Sequence, residues 1–554
     1  MTERFSSYMC AALYTVLFLF CSPYLPAQGT ASSGNPQGNS QAAAESVPVF
    51  HSSVRVVLVD VIVNDKKGQF VPDLKPEDFI LLEDGKPQRI AAFNAHRYQT
   101  PRSLPPLQLP PHQFTNFTPQ EPGGAVTIVL LDTLNTPILQ QVDARKAMLQ
   151  FIEKLPPGQR VALFVLSDHP KLVQGFTGSS DVLVAAAKTI RPGFVMNSVD
   201  SPSSSSAIGI DIQSAFPAQS VMAAETRLRL TLASLQMLAR AVSGYPGRKN
   251  VLWFSGQFPL RLSPEFTVNN HAQLMNQDYS EVLETAALLA ASQVALYPID
   301  VTGLNPGTNI QDRFSPDFGM MSSMGDDKRT AMEDLARETG GDAFYGTNAL
   351  GDAMVRGLKQ GSDYYTLAYS PTNHDWNGQY RKIEAKTSLK GVKLTFRRGY
   401  YANKEKEFSG DQAARMLATA MQPTVPESTM LLLKVQVLPP DSEHKTVRID
   451  YAVDAHDIRF ADSDDQQKHV AVDFMAAAWS KDFKDAGYTT DMVNTAFRPE
   501  AYQQVLHTGF PAHQELDLKP GNYTLRLGVL DRGSQKIGTV DVPLTITGKE
   551  ALGN

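Results

Sequence analysis

Hydrophobic and polar positions follow two rhythms along this chain. Between Val54 and Val63 nearly every residue is β-branched or Leu, and Asp65-Lys66-Lys67-Gly68 then turns the chain. Phe79-Leu82 and Gln88-Phe93 bracket Asp84-Gly85, a strong hairpin signal. From Ala125 onward, short apolar runs alternate with stretches of helical spacing. The runs Ala125-Leu131, Arg160-Leu166, Asn250-Phe254 and Val294-Ile299 predict buried strands. Helices are predicted over Gln140-Leu155, Asp181-Ile190, Leu228-Val242, Tyr279-Ser292 and Met332-Thr339, and Ala343-Tyr345 with Ala353-Leu358 completes the pattern. Strands alternating with helices predict an α/β arrangement with a parallel sheet covered on both faces. Ligands of such sheets bind at the carboxyl ends of the strands.

Strand rhythm returns at Tyr364-Tyr369, Tyr380-Lys386 and Val392-Arg397, with Asn373-Gly378 as a turn. Together with the strands of 54–93 these make a six-stranded β-sandwich into which the α/β domain is inserted, since neither half buries its apolar face alone. Two separate small β units are the alternative. Beyond Ala402, Gln412-Met421 reads as a helix. Thr429-Leu438, Val447-Val453, Val470-Met475, Tyr523-Leu530 and Thr539-Ile546 read as strands of a second, C-terminal β-sandwich, with turns at Lys519-Asn522 and Asp531-Gly533.

The division that follows is a signal peptide over 1–27, a tether over 28–47, β strands over 48–98 and a Pro-rich linker over 99–123. The α/β domain then covers 124–361, strands completing the sandwich 362–403, and the C-terminal sandwich 404–554. Arg4 followed by the apolar run Met9-Cys21 fits a signal-peptide core, with cleavage after Ala27. An uncleaved anchor is the alternative, and a lipid on Cys21 is disfavoured by the bulky Phe20 before it. Both cysteines, Cys10 and Cys21, lie inside this segment, so cleavage leaves no disulfide, cysteine nucleophile or thiolate metal site. Seven prolines between Pro101 and Pro122 favour an extended connection over a packed element. A formal net charge of -6 gives no electrostatic case for nucleic acid or an anionic membrane surface.

Several segments resemble the von Willebrand factor A-related proteins of the acidobacterial type. They are Val57-Asp60, KPEDFILLEDGKPQRI (75–90), VTIVLLDTLNT (126–136), GRKNVLWFSGQFP (247–259), VALYPIDVTGL (294–304), LARETGGDAF (335–344), YYTLAYSPT (364–372) and RRGYYA (397–402). The resemblance implies an exported protein whose α/β domain is doubly wound (von Willebrand factor A-like, Rossmann-type), and no agreed activity.

Adhesion-type A domains carry Asp-x-Ser-x-Ser after the first strand, a distant Thr and an Asp after the fourth strand, which together hold a divalent cation. Mg²⁺ and similar ions require oxygen ligands. Here the motif reads Asp132-Thr133-Leu134-Asn135-Thr136, and Ser255-Gly256-Gln257 stands where Asp-Gly is expected. The resemblance thus leaves Asp132 and Thr136 as a degenerate site for Mg²⁺ or another divalent cation, with Asn135, Ser255 and Asp300 as further oxygens and Thr226 as the distant Thr. The opposing reading has Asp132 capping the first helix and Thr136 satisfying a loop. Asp300 and Asp168 at strand ends read as turn formers, and Asp462-Asp465 lacks the Gly and Glu of a calcium loop.

The long segments Ser198-Ser220, with Ser203-Ser206 in a row, and Gly303-Asp326 are expected at the carboxyl edge, where loops carry binding surfaces. No His-Glu-x-x-His, Gly-x-Ser-x-Gly or phosphate-cradling glycine motif occurs. The expectation is an exported, non-enzymatic protein-interaction or adhesion protein. It would engage a protein or extracellular-matrix-like ligand through the loop face of its A domain. A structural or assembly component of the cell envelope, acting through its sandwiches, is the other class.

Overall fold

The computed structural model describes residues 55–97, 107–117, 125–155, 159–191, 217–259, 276–301, 318–345, 361–403, 410–423, 425–462 and 467–547, with single positions between 351 and 358. The expected signal segment and tether, and Ser203-Ser206, lie outside these residues. Everything described below belongs to the unit Val56–Asn554.

The chain opens with β1 (Val57–Asn64), β2 (Phe79–Glu83), β3 (Lys86–Gln88) and β4 (Ile90–His96), followed by β5 (Gln113–Thr115). An alternating stretch comes next: β6 (Val126–Asp132), α1 (Ile138–Glu153), β7 (Val161–Leu166), β8 (Pro170–Thr177), α2 (Ser180–Thr189), α3 (Pro217–Val242), β9 (Lys249–Ser255), α4 (Asn276–Ala291), β10 (Val294–Asp300) and α5 (Phe318–Thr339). Then come β11 (Tyr364–Tyr369), β12 (Tyr380–Thr387), β13 (Lys393–Thr395) and β14 (Gly399–Tyr401). The last third holds α6 (Gly410–Ala420), β15 (Leu433–Leu438), β16 (Val447–Val453), β17 (Ala461–Asp462), β18 (Lys468–Ser480), β19 (Asp485–Phe497), α7 (Pro499–Thr508), β20 (Phe510–Leu516), β21 (Gly521–Asp531) and β22 (Ile537–Ile546). The fold is mixed α/β, with one largely parallel sheet and several antiparallel ones.

The parallel sheet has the order β10-β9-β6-β7-β8, in which only β8 runs antiparallel to its neighbour. Its strands are apolar on both sides because helices cover both faces. Ile128, Leu130, Val251 and Trp253 pack under α3, α4 and α5, whereas Val129, Leu131, Leu252 and Phe254 pack under α1 and α2. Phe344 adds a parallel bridge to Ile299 beyond β10. The turn into that bridge needs glycine: Gly340 has φ +78°, and a Cβ on Gly341 would lie 1.8 Å from the Leu296 carbonyl oxygen. The Gly341 amide closes the end of α5 on the Ala336 carbonyl at 2.8 Å.

Two four-stranded sheets, β13-β1-β11-β4 and β14-β12-β2-β3, share one core. Val59, Val61, Tyr365 and Leu367 of the first meet Leu81, Ile383 and Ala385 of the second. β1 pairs with β11, so segments on either side of the α/β stretch form common sheets. Asp84 and Gly85, both with positive φ, form the β2–β3 turn. The C-terminal core joins Val435, Ile449 and Phe510 of the sheet β20-β16-β15-β5 to Val472, Leu527 and Val542 of the sheet around β18 and β21.

Three expectations need correction. The Pro-rich stretch is not merely an extended connection. Its residues 113–115 form β5, which pairs with β15, and the buried Asn116 side chain donates to the Ser428 and Leu431 carbonyls at 3.0 and 2.8 Å. Second, the long segments at the carboxyl edge are partly helical: 217–220 open α3 and 318–326 belong to α5. Third, besides the five predicted strands the C-terminal sheets contain β5, β17, β19 and β20.

Candidate functional site at the carboxyl edge of the parallel sheet

Asp132 is the last residue of β6 and has no exposed surface. Its Oδ1 accepts the Asn135 amide at 2.8 Å. Its Oδ2 accepts Asn135 Nδ2 at 2.9 Å, Trp253 Nε1 at 2.9 Å and Ser255 Oγ at 2.8 Å. Ser255 Oγ also lies 2.6 Å from the Gln257 carbonyl, so its one proton is shared between two acceptors. Burial pushes the Asp132 carboxyl above the usual carboxylate range, against the downward pull of these donors.

The surrounding loop is tied just as completely. Thr136 Oγ1 accepts the Gly256 amide at 2.9 Å, and Gln141 Nε2 donates to the Thr133 and Thr136 carbonyls at 3.1 and 3.0 Å. Thr133 Oγ1 donates to the Leu166 carbonyl at 2.8 Å. A Cβ on Gly256 would lie 2.9 Å from Gln140 Oε1 and 3.1 Å from Pro137 Cδ, which is why the loop after β9 can sit against the start of α1.

Asp132, Asn135, Thr136 and Ser255 lie together at the ends of β6 and β9. Asp132 does not cap α1, whose N-cap is Pro137; it closes its own loop through the Asn135 amide. Thr226 is exposed on α3, and the hydroxyl that reaches the site is Thr231, one further turn along, which accepts Asn135 Nδ2 at 3.0 Å. Asp300 pairs in register with Ser255, but its carboxylate binds Lys328 Nζ at 2.5 Å. Asp168 stays in the β7–β8 turn, 3.3 Å from Lys171 Nζ.

A divalent cation needs free oxygen lone pairs. The Asp132 carboxylate faces three nitrogen-bound protons and a hydroxyl, Leu134 offers no donor, and the Thr136 oxygen is engaged by a backbone N–H. The residues expected as cation ligands therefore do not fit that role as they are arranged. Among the described residues, no group of three or more His, Cys, Asp or Glu side chains is placed to hold a metal ion.

The quoted segments meet at a second place, which pattern reading missed. Asp60 of β1, Arg248 and Gln293 of the α/β stretch, Glu338 of α5 and Arg397 line a cavity of about 30 Å³ where the parallel sheet meets the first β sheets. That is room for ordered water. Asp60 accepts Gln293 Nε2 at 3.1 Å and Thr366 Oγ1 at 2.7 Å. Arg248 donates to Asn250 Oδ1 at 3.0 Å and to the Gly340 carbonyl, and Tyr380 donates to Glu338. Burial pushes the Glu338 carboxyl up to about 7 and the Lys249 ammonium down to about 8. The adjacent charges Arg248 and Lys249, at the entry to the buried strand β9, were the available signal, because a strand covered on both faces normally excludes them.

No protein-family model matches the sequence, and comparison with curated proteins returns no match. Among solved structures, the chain is similar to a von Willebrand factor type A protein from Catenulispora acidiphila (8% identity, 91% of this chain and 77% of that one, TM-score 0.23). It is also similar to an aerotolerance-related membrane protein from Bacteroides fragilis (12% identity, 43% and 98%, TM-score 0.23). A third likeness is to the type V pilus tip protein of Porphyromonas gingivalis (8% identity, 66% and 75%, TM-score 0.25). Similarity this low establishes no shared function. Among the described residues, no helix is long and apolar enough to cross a membrane.

Proposed function

We propose that this chain is an exported, non-enzymatic protein-interaction module, built on a von Willebrand factor A-like domain with flanking β-sandwiches. It engages a protein ligand through the carboxyl edge of the parallel sheet without a bound cation. The carrying observation is the closed network around Asp132: a carboxylate already holding four donors is a rigid loop anchor, neither a free general base nor an open ligand. Next to this anchor, Ile138 and Val142 of α1 are 37% and 61% exposed, and apolar groups presented by a rigid frame are what protein partners bury.

An envelope-assembly role is the second reading. It draws support from β19, a 13-residue strand paired along one side to β18, with Tyr488 and Met492 exposed. The deciding experiment is affinity capture from envelope extracts with the full chain and two variants. The proposal expects saturable capture that Val142→Lys abolishes and Met492→Lys leaves intact. The reverse pattern favours assembly through β19, and loss in neither variant overturns both readings.

A further inference from the structure

A pocket of about 260 Å³ opens at the carboxyl edge between α1 and the end of α2. Its apolar wall is Leu131, Val142 and Ile190, and its charged groups are Arg145 and Arg191, with no acidic side chain among the described residues that line it. Arg145 donates to the Ile190 carbonyl at 2.8 Å, which holds the end of α2 against α1. Among the described residues, neither guanidinium has a carboxylate partner. The pocket is thus apolar in lining and positive at its rim, and it is large enough for one aliphatic or aromatic side chain.

We propose that this pocket receives a segment of the protein partner in which an apolar side chain sits beside a carboxylate. The side chain fills the wall of Leu131, Val142 and Ile190, and Arg145 and Arg191 bind the carboxylate. A planar guanidinium matches a carboxylate through paired N–H donors, and the flanking apolar surface strengthens the contact by excluding water. The proposal rests on the interaction reading given above and adds the chemistry of what is bound. Charge complementarity chooses the occupant, since a basic or neutral segment would leave both guanidinium groups uncompensated.

The test is a calorimetric or NMR titration of the full chain with N-acetyl-leucine, and with N-acetyl-leucinamide as the uncharged control. The expected result is saturable binding of the acid at millimolar concentration, about tenfold weaker for the amide and for Arg191→Gln. Arg191 is exposed, so that variant should fold, and Val142→Glu, also at an exposed position, should abolish binding of the acid. Equal binding of acid and amide, no saturation by about 10 mM, or undiminished affinity in Arg191→Gln would overturn the proposal. Those outcomes leave the interaction reading to the capture experiment. Partner capture lost in Val142→Lys but retained in Arg191→Gln would mean the edge binds its partner by other chemistry.

Discussion

The indole Nε1 of Trp253 donates to the Asp132 carboxylate at 2.9 Å across the neighbouring strands β9 and β6. Trp253 is fully buried. An apolar ring under α3 and α4 therefore carries the one polar atom that helps hold a buried carboxylate in place. The loop at the carboxyl edge is fixed by this contact together with Asn135 and Ser255.

Asp132→Ala should destabilise the protein by about 3 kcal/mol, because it leaves Trp253 Nε1 and the Asn135 amide buried without an acceptor, whereas Ser255 keeps the Gln257 carbonyl and Asn135 Nδ2 keeps Thr231. Asp132→Asn keeps the shape but turns one donor-facing oxygen into a donor, and should cost about half as much. Chemical denaturation followed by tryptophan fluorescence measures both. Equal stability of Asp132→Ala and the parent would show that the network is absent in solution.

Asn116 ties the proline-rich stretch to the C-terminal sheets. Its Nδ2 serves two carbonyls, and its Oδ1 accepts the Leu433 amide at 3.0 Å. Asn116→Ala should lower stability by about 2 kcal/mol and raise hydrogen exchange at the Leu433 amide, whereas substitutions at the exposed Leu107 should be within about 0.5 kcal/mol of neutral. Unchanged exchange at Leu433 would contradict the packed role of β5.

Asp60→Ala should be among the most damaging single changes, at about 3–5 kcal/mol, because the nearby cations Arg248, Lys249 and Arg397 then lie in a buried region without its charge. Asp60 also anchors Gln293 of the α/β stretch and Thr366 of β11. Calorimetry should show unfolding of the variant broadened or split relative to the parent as the two parts lose their common anchor. A loss below about 1 kcal/mol would show that the junction does not depend on this carboxylate.

The carboxyls of Glu338 and Glu427 are both pushed up to about 7, chiefly by burial. A raised carboxyl favours the protonated folded state, so this share of the stability is fully present below the ordinary glutamate pKa. It is lost as pH rises from there to about 7. Stability should therefore decline with pH across that window, and Glu338→Gln combined with Glu427→Gln should flatten the decline. An unaltered pH profile in the double variant would contradict the placement of these carboxyls.

The parallel sheet was the most legible part of the fold. Ala125-Leu131 and Val294-Ile299 are continuous apolar runs, and Gln140-Leu155 has its apolar residues on one face, so local pattern alone defines β6, β10 and α1 to within about two residues. Where one side of a strand faces water, that signal fades. β19, Asp485–Phe497, is mostly polar and exposed and takes its strand form from pairing with β18. β8 begins at Pro170 and has an irregular register with β7. β5 lies among prolines and depends on β15, more than three hundred residues away. At the carboxyl edge, sequence identified Asp132, Asn135, Thr136 and Ser255 as neighbours. The role of Trp253 and the choice of Thr231 over Thr226 were hidden, because both depend on the helix and strand rotations that the packed sheet imposes.

The most direct measurement is thermal unfolding of the full chain with Mg²⁺, Mn²⁺ or Ca²⁺ against chelator, repeated with Asp132→Asn. A cation-free carboxyl edge predicts the same midpoint in every condition. A bound ion present at a hundredfold its dissociation constant would add about 2.7 kcal/mol, a rise of several degrees. Such a rise, saturable and lost in Asp132→Asn, would contradict the account and restore a metal-dependent binding face.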